Sequence, residues 1–264
     1  MCCLFGFIDY AGVLSVTQKS RLIRELSIAA EVRGTDATGI AYNTSRGLQI
    51  YKRPLAAHRL HLRIPAEAHV VMGHTRMTTQ GSAKKNYNNH PFFGCVKGKS
   101  FALAHNGIVW NDLELRRTKH LPRTKVQTDS FIAVQLIEQQ KALNLSSLKC
   151  MAEQVEGSFS FSVLSEQDEL WLVKGDNPLT IVHFPAVGVY VYASTAEILN
   201  KALARCGNWL GREEKGDIAM GDIIKIDSNG RITRGTFDAS KFYLSSWRYW
   251  DTPLYPKAPR SESE

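Results

Sequence analysis

The sequence predicts an α+β protein in which helices cover antiparallel sheets. Apolar and aromatic segments of strand length follow one another at hairpin spacing along much of the chain. Helical segments interrupt them in groups and do not alternate with single strands. The regular strand–helix–strand alternation of a parallel sheet is therefore not what this chain encodes, and antiparallel sheets are favoured.

Short apolar runs that end at turn residues mark the predicted strands. They cover residues 3–10, 38–44, 47–53, 68–76, 99–107, 158–165, 169–175, 179–184, 188–194, 222–227 and 231–237. The sequences "SRG" and "SNG" separate two pairs of these runs, and such glycine-containing turns are typical of hairpins. The first and last parts of the chain are thus expected to form hairpin-linked strands.

Four segments have apolar residues at helical spacing, at residues 17–34, 129–143, 146–157 and 195–206. The first of them stops at Gly34. Ser146 and Thr195 are expected to cap the last two helices, and Thr128 or Asp129 to cap the second.

Composition limits the class of protein. The chain has 264 residues with 44% hydrophobic side chains, which suits a globular protein with a substantial core. No apolar run reaches the roughly 20 residues that cross a bilayer, and no secretory signal is recognisable at the N-terminus. Five scattered cysteines without a C-x-x-C pair indicate reduced thiols in the cytoplasm, with no disulfide framework and no zinc site. We expect one domain at 2–236 and an aromatic-rich tail at 237–264, with its last residues disordered.

The net charge of +8 raises the question of nucleic-acid binding. The densest basic cluster lies at residues 116–125, but no helix-turn-helix, RNA-recognition or zinc-finger pattern accompanies it. A solvated surface, or one that docks an acidic protein, is the favoured interpretation.

The N-terminus "MCCLFG" carries the first candidate for chemistry. Removal of Met1 would leave Cys2 with both a thiol and a free amine, which is a nucleophile with its base on the same residue. The alternative is that the cysteine simply packs as a small hydrophobic side chain.

Polar residues at the ends of other predicted strands are further candidates. Arg76 offers a planar fork for a carboxylate, or a surface ion pair. Asn106 and Gly107 offer two donors for an oxyanion, or an ordinary Asn-Gly turn that closes the strand. Asp129 offers a carboxylate for an ammonium group, or a helix cap, and His90 lies in an Asn-rich loop.

Taken together, "MCCLFG", "RGTDATGIA", "GHTRMTTQG", "NNHPF", "AHNGIVWN", "TDS" and "VEGSFSFSVL" resemble the successive signatures of class II glutamine amidotransferases. These are members of the N-terminal-nucleophile hydrolase superfamily, and the resemblance spans about residues 2 to 205. It implies a four-layer α-β-β-α sandwich of two antiparallel sheets. It also implies hydrolysis of the glutamine side-chain amide through a cysteine thioester, with no metal or organic cofactor.

The resemblance also implies a role for each matching residue. Cys2 would be the nucleophile, with its own α-amino group as the general base. The other implied roles are the oxyanion hole for Asn106 and Gly107, the substrate α-carboxylate site for Arg76, the α-ammonium site for Asp129, the glutamine pocket for Thr78 and His90, and support of the nucleophile for Arg33.

Three features depart from the family pattern. Cys3 replaces the usual glycine, and because successive strand residues face opposite ways, we assign the nucleophile to Cys2 and the strand interior to Cys3. Met77 replaces the tryptophan of sugar-phosphate members, which puts closure of the pocket in question. The chain after residue 205 is too short for an ammonia-consuming synthase domain.

Three functions therefore stay open. The favoured one is a stand-alone glutaminase that supplies ammonia to a separate synthase subunit. The others are an amidohydrolase for a γ-glutamyl compound or another amide, and a non-catalytic binding module. Six aromatic residues lie within 242–255, and this segment is expected either to cover the catalytic domain or to dock the partner or a second copy of the chain.

Overall fold

The computed structural model describes residues 2–242. Two antiparallel sheets pack face to face, and helices cover both outer faces. The strands are β1 (Cys3–Asp9), β2 (Ala37–Thr44), β3 (Gly47–Arg53), β4 (Val70–Arg76), β5 (Phe92–Val96), β6 (Lys99–Val109), β7 (Gly157–Ser165), β8 (Leu170–Lys174), β9 (Thr180–Phe184), β10 (Val189–Ala193), β11 (Glu214–Lys215), β12 (Asp222–Ile226) and β13 (Ile232–Thr236). The α-helices are α1 (Val16–Ala29), α2 (Asp112–Thr118), α3 (Phe131–Gln139), α4 (Leu145–Gln154) and α5 (Ala196–Cys206).

The first sheet, called sheet A, has seven strands in the order β11-β9-β10-β1-β4-β2-β3. The second, called sheet B, has six strands in the order β13-β12-β8-β7-β6-β5. The N-terminal strand β1 therefore lies in the middle of sheet A between β10 and β4, and β6 lies between β7 and β5 in sheet B.

Three apolar clusters fill the spaces between the four layers. One joins α1 and α5 to sheet A, one joins α3 and α4 to sheet B, and the third fills the space between the sheets. The predicted α+β class and the four-layer α-β-β-α arrangement are thus confirmed.

Side-chain alternation in β1 and β6 points the candidate residues into the space between the sheets. Leu4 packs between the sheets and Phe5 packs on the helical side, so Cys2 shares the face of Leu4, and Cys3 shares the face of Phe5. Cys3 is fully buried in the core that α1 and α5 cover. In β6, Ala104 packs between the sheets, and Asn106, two residues further along, therefore lies on the same face of the strand.

The helix boundaries correct some of the sequence-based expectations. α5 begins as predicted, since Thr195 accepts a hydrogen bond from the backbone N–H of Ile198. α4 begins one residue before Ser146, and Asn144 caps it. No side chain caps α3, so the capping role predicted for residues 128 and 129 is wrong.

Of the two alternatives for Asn106-Gly107, the turn that closes the strand is wrong, because β6 continues through both residues to Val109. Gly107 has a φ of +145°, and a Cβ atom there would lie 1.8 Å from the carbonyl oxygen of Ser158. Only glycine fits both this conformation and this close approach.

The tail begins inside the packed structure. Phe237 is 6% exposed and belongs to the core between sheet B and its helices, and Phe242 packs against the same cluster. The other five aromatic residues of the predicted segment 242–255, and the expected disorder of the last residues, lie outside the described residues. Within residues 2–242, the helices are too short or too polar to cross a membrane.

Candidate active site

Cys2 directly precedes β1 at one end of the space between the sheets. Its Sγ donates a hydrogen bond of 3.5 Å to the backbone carbonyl of Met77. Burial raises the pKa of the Cys2 thiol, while the Met77 hydrogen bond and the Arg76 charge lower it and the Asp129 charge raises it. Because the net shift is upward, the thiol needs a base before it can act as a nucleophile.

Arg33 supports the residue that carries this thiol. It ends a 3-10 turn, Ala30–Arg33, that follows α1, and its Nε donates to the backbone carbonyl of Cys2 at 2.8 Å. A Cβ atom at Gly34 would lie 2.4 Å from the backbone of Arg76, so the missing side chain lets this turn approach the end of β4.

Arg76 ends β4 directly beside Cys2. Cys3 pairs with Thr75 across the antiparallel ladder, so the next position along the ladder sets Cys2 opposite Arg76. Arg76 is 2% exposed, so its charge lies in a largely desolvated site.

Part of the Arg76 guanidinium is already hydrogen-bonded. Nη1 donates to Oδ1 of Asn89 at 2.6 Å, and Nη2 donates to the carbonyl oxygens of Gln80 and Gly81 at 2.6 and 3.1 Å. A guanidinium has five N–H donors. Two donors of Arg76 are therefore left for a ligand within the described structure.

Thr78 and Asp36 fix the start of the loop that follows β4. The backbone N–H of Thr78 donates to Oδ2 of Asp36 at 2.7 Å, and the backbone N–H of Asp36 donates to the carbonyl of Arg76 at 3.0 Å. The Thr78 side chain is exposed, as are its neighbours Met77 and Thr79. This loop forms the solvent side of the candidate site.

Asp129 is buried at the start of α3 and connects it to β6. Its Oδ2 accepts a 2.6 Å hydrogen bond from the backbone N–H of Val109, and its Oδ1 accepts one of 3.4 Å from the Ser130 hydroxyl. The same Ser130 oxygen is 2.7 Å from Nδ1 of His105. The carboxylate is therefore positioned by the strand that also carries Asn106 and Gly107.

His90 is 3% exposed and lies in a buried group of histidines rather than at the surface of the loop. Its ring is 4.2 Å from the ring of His74 and 4.3 Å from that of Phe92, centroid to centroid. His74 donates from Nε2 to the carbonyl of His105 at 2.9 Å. Burial lowers the pKa of His74 to about 3 and that of His105 to about 4, and it also lowers the pKa of His90.

Asn106 lies in β6 of the sheet opposite β1 and is fully buried. Its Nδ2 donates to the Ser194 hydroxyl at 3.4 Å, and the same hydroxyl accepts a 2.9 Å hydrogen bond from the backbone N–H of Leu4. Its backbone carbonyl accepts a 3.0 Å hydrogen bond from Nδ2 of Asn177. The strands of Cys2 and Asn106 are thus connected through one serine hydroxyl.

Sequence reasoning missed four residues that contact the candidate site. They are Lys52, Asn89, Asn177 and Ser194. Lys52 donates to the carbonyls of Asn89 and Pro91 at 2.6 and 2.9 Å and so holds the loop of His90, and burial lowers its pKa to about 8. The one available signal was polarity at the ends of apolar runs, in "YVYAS" for Ser194 and "VKGDNP" for Asn177.

No group of three or more His, Cys, Asp or Glu side chains within residues 2–242 is arranged to hold a metal ion. The polar groups that act on the Cys2 thiol are instead the guanidinium of Arg76 and the carboxylate of Asp129, and Asn106 on the facing sheet is joined to the strand after Cys2 through the Ser194 hydroxyl. This set suits nucleophilic attack on an amide carried by a zwitterionic ligand.

Comparison with known proteins agrees with this chemistry. Residues 74–201 match the family model of the glutamine amidotransferase domain. A glutamine–fructose-6-phosphate aminotransferase of Sulfurisphaera tokodaii is 30% identical over 183 residues, which are 64% of this chain and 30% of that protein. The protein of the same name from Halalkalibacterium halodurans is 29% identical over 198 residues, which are 72% of this chain and 32% of that protein.

Solved structures show the same fold. The glutamine phosphoribosylpyrophosphate amidotransferase of B. subtilis has a TM-score of 0.68 at 18% identity, over 90% of this chain and 49% of that chain. The fold is thus the one that glutamine amidotransferases of the N-terminal-nucleophile hydrolase class share. Residues 74–201 are similar to a glutamine amidotransferase domain, and the curated relatives are enzymes by name. The similar region spans about a third of the length of those relatives.

Proposed function

We propose that this chain hydrolyses the side-chain amide of glutamine to glutamate and ammonia through a thioester on Cys2. One observation carries the proposal: two buried side chains of opposite charge, Arg76 across the ladder from Cys2 and Asp129 held by β6, lie close enough to the Cys2 thiol to shift its pKa in opposite directions. An α-amino acid has a carboxylate for the first and an ammonium for the second. A glutamine bound in this way brings its amide to the nucleophile.

The reaction begins once Met1 is removed and Cys2 has a free α-amine. That amine, with an ordinary pKa of about 7.7–8.0, takes the proton of the thiol, whose own pKa burial raises. The thiolate attacks the amide carbon, and Nδ2 of Asn106 and the N–H of Gly107 stabilise the oxyanion. The amine returns its proton to the leaving nitrogen as the C–N bond breaks. Water, deprotonated by the same amine, then hydrolyses the thioester to glutamate.

We further propose that the ammonia passes to a separate acceptor protein in the cytoplasm. All thirteen strands and five α-helices of residues 2–242 belong to one sandwich, so this part of the chain has no second domain for an acceptor. The named relatives transfer the amino group of glutamine to a sugar phosphate, and most of their length has no counterpart in the matched region. All five cysteines are free thiols, which suits a reducing compartment.

Intact-mass measurement tests the first requirement, because a chain that retains Met1 has no Cys2 amine. Ammonia release is then measured with glutamine and asparagine, and aniline release with a γ-glutamyl anilide, with Cys2→Ala as the inactive control. We expect release from glutamine by the processed protein alone. Cleavage of the anilide without cleavage of glutamine would mean that the substrate is another γ-glutamyl compound. No cleavage of any of these amides would favour a non-catalytic binding module.

A further inference from the structure

Two residues outside the sequence motifs hold Asn106 from opposite sides. Nδ2 of Asn177 donates to its backbone carbonyl at 3.0 Å, and Oγ of Ser194 accepts from its side-chain Nδ2 at 3.4 Å. Asn177 is 8% exposed and Ser194 is fully buried. We propose that Asn177 and Ser194 are positioning residues for the oxyanion hole, an inference that rests on the proposed amide hydrolysis.

Asn177 acts on the second oxyanion donor through the peptide bond between Asn106 and Gly107. The carbonyl of Asn106 and the N–H of Gly107 lie in one peptide plane and point in opposite directions, because the bond is trans and planar. Fixing the carbonyl therefore fixes the direction of the N–H. Glycine has the freest backbone of all residues, so a peptide next to Gly107 needs such an external restraint.

Asn177 is itself held by three further hydrogen bonds, so it can fix the position of the Asn106 carbonyl. Its Nδ2 also donates to the hydroxyl of Ser158 at 2.8 Å, and its backbone N–H donates to the carbonyl of Phe159 at 3.3 Å. Its own carbonyl accepts a 2.7 Å hydrogen bond from the Ser160 hydroxyl. All three partners belong to β7, the neighbour of β6, so Asn177 is anchored to sheet B through its backbone and its side chain.

Ser194 relates the oxyanion donor to the nucleophile across the two sheets. Its backbone N–H donates to the carbonyl of Leu4 at 2.8 Å, and its hydroxyl accepts from the Leu4 N–H at 2.9 Å. Leu4 lies two residues after Cys2 on the same face of β1. One hydroxyl thus contacts both the strand of the attacking sulfur and the amide that stabilises the resulting charge.

The arrangement leaves the donors available for the reaction. The Asn106 side-chain amide has two N–H groups, and the one that Ser194 accepts leaves the other for the oxyanion. Donors that are oriented before the reaction need no reorganisation when charge develops. Loss of either restraint should therefore lower turnover more than substrate binding.

Steady-state hydrolysis of glutamine by Asn177→Ala and Ser194→Ala tests this role, with Ser162→Ala as the control. Ser162 lies in β7 and is fully buried, as Ser194 is. No hydrogen bond joins Ser162 to Asn106 in the described structure. We expect kcat to fall about 10-fold or more in both variants with KM little changed. That loss should stay below the 10²–10³-fold typical of removing a whole oxyanion donor. The control should keep its kcat.

Double variants separate positioning from general damage. In an Asn106→Ala background, Ser194→Ala should lose most of its effect, because only its contact with the Leu4 N–H then remains to be removed. Asn177→Ala should still lower kcat there, because the Gly107 N–H remains. A change confined to KM, or a full effect of Ser194→Ala without the Asn106 amide, would overturn the proposal.

A wild-type protein that cleaves no amide would contradict the proposed function. The positioning role of Asn177 would then be tested by a structural measurement. A crystal structure of Asn177→Ala should then show the Asn106–Gly107 peptide rotated relative to the wild-type protein. An unchanged peptide would overturn the role of Asn177 whatever the substrate is.

Discussion

The Nε atom of Arg33 donates a 2.8 Å hydrogen bond to the backbone carbonyl of Cys2. This contact holds the residue that would become the N-terminus after Met1 is removed. An N-terminal residue has only one peptide bond to restrain it, so an external hydrogen bond of this kind decides where its amine and thiol lie.

The first prediction follows from this contact. Arg33→Ala should lower kcat for glutamine hydrolysis by about 10-fold or more, because small misplacements of a nucleophile are costly. Arg21→Ala is the matched control, since Arg21 also donates to a backbone carbonyl, that of Arg205, but lies on α1 away from Cys2. Equal kcat values in the two variants would remove Arg33 from the site.

The second prediction concerns the two adjacent cysteines. Cys2→Ala should abolish ammonia release and labelling by a diazoketone analogue of glutamine. Cys3→Ala should keep both and lose only stability, because the Cys3 side chain is buried in the core under α1 and α5. The free energy of unfolding of each variant, measured in urea, separates the two effects. Activity in Cys2→Ala together with an inactive Cys3→Ala would reverse the assignment.

The third prediction concerns recognition of the substrate's charged groups. Arg76→Ala and Asp129→Asn should each raise KM for glutamine, since truncating one partner of a buried charged contact costs about 2–5 kcal/mol. Substrate analogues provide the matched test: glutaramate lacks the ammonium group, and 4-aminobutanamide lacks the carboxylate. We expect Asp129→Asn to change the KM of glutaramate little and Arg76→Ala to change that of 4-aminobutanamide little. The opposite pattern would exchange the two roles.

The fourth prediction concerns stability in mild acid. Burial lowers the pKa of His74, His90 and His105 below the value of about 6.5 expected in the unfolded chain. Below pH 6.5 the unfolded chain therefore binds protons that the folded protein does not, so acidification favours unfolding. The free energy of unfolding should fall between pH 7.5 and 5.5, and less steeply in His90→Phe. A flat wild-type profile would contradict the expectation.

The fifth prediction concerns the start of the tail. Phe237 is 6% exposed and stacks on Phe159 with ring centroids 5.9 Å apart. Phe237→Ala should lower the free energy of unfolding by about 3–5 kcal/mol, as is typical of a buried phenylalanine. Phe93→Ala is the control, because Phe93 is 54% exposed and should cost far less. Similar losses in both would mean that the tail does not belong to the core.

Patterns of local sequence predicted most of the fold. The hairpin of β2 and β3 and the Thr195 cap of α5 depend on turn and cap residues within a few positions, so the sequence displays them directly. The turn alternative at Asn106-Gly107 is wrong because tertiary pairing overrides a local turn preference. β7 pairs with β6 through both residues and keeps them in a strand.

Long-range contacts explain what sequence patterns could not show at the site. Asp129 does not cap α3, because its Oδ2 accepts from the backbone of Val109, and no spacing rule relates these two positions. His90 resembled an ordinary loop residue until the fold placed it against His74. Asn177 and Ser194 are single polar residues in otherwise common segments, and only the packing of the two sheets brings them to Asn106.

The continuation of β6 through Asn106 and Gly107 has a consequence for amide hydrogen exchange. These two residues lie in the longest strand within residues 2–242, with β7 paired alongside, whereas residues 77–80 are exposed. Amides of β6 that are bonded to β7 should exchange only on extensive unfolding, whereas exchange in exposed loops requires only local opening. The Gly107 N–H, which the proposed mechanism leaves free for the oxyanion, does not have this protection. Denaturant at low concentration should therefore release the exposed loop of residues 77–80 first. Arg76 ends β4 and Asp129 is held by β6, so the two groups proposed to bind glutamine should persist together with the charge-stabilising strand until the whole molecule unfolds.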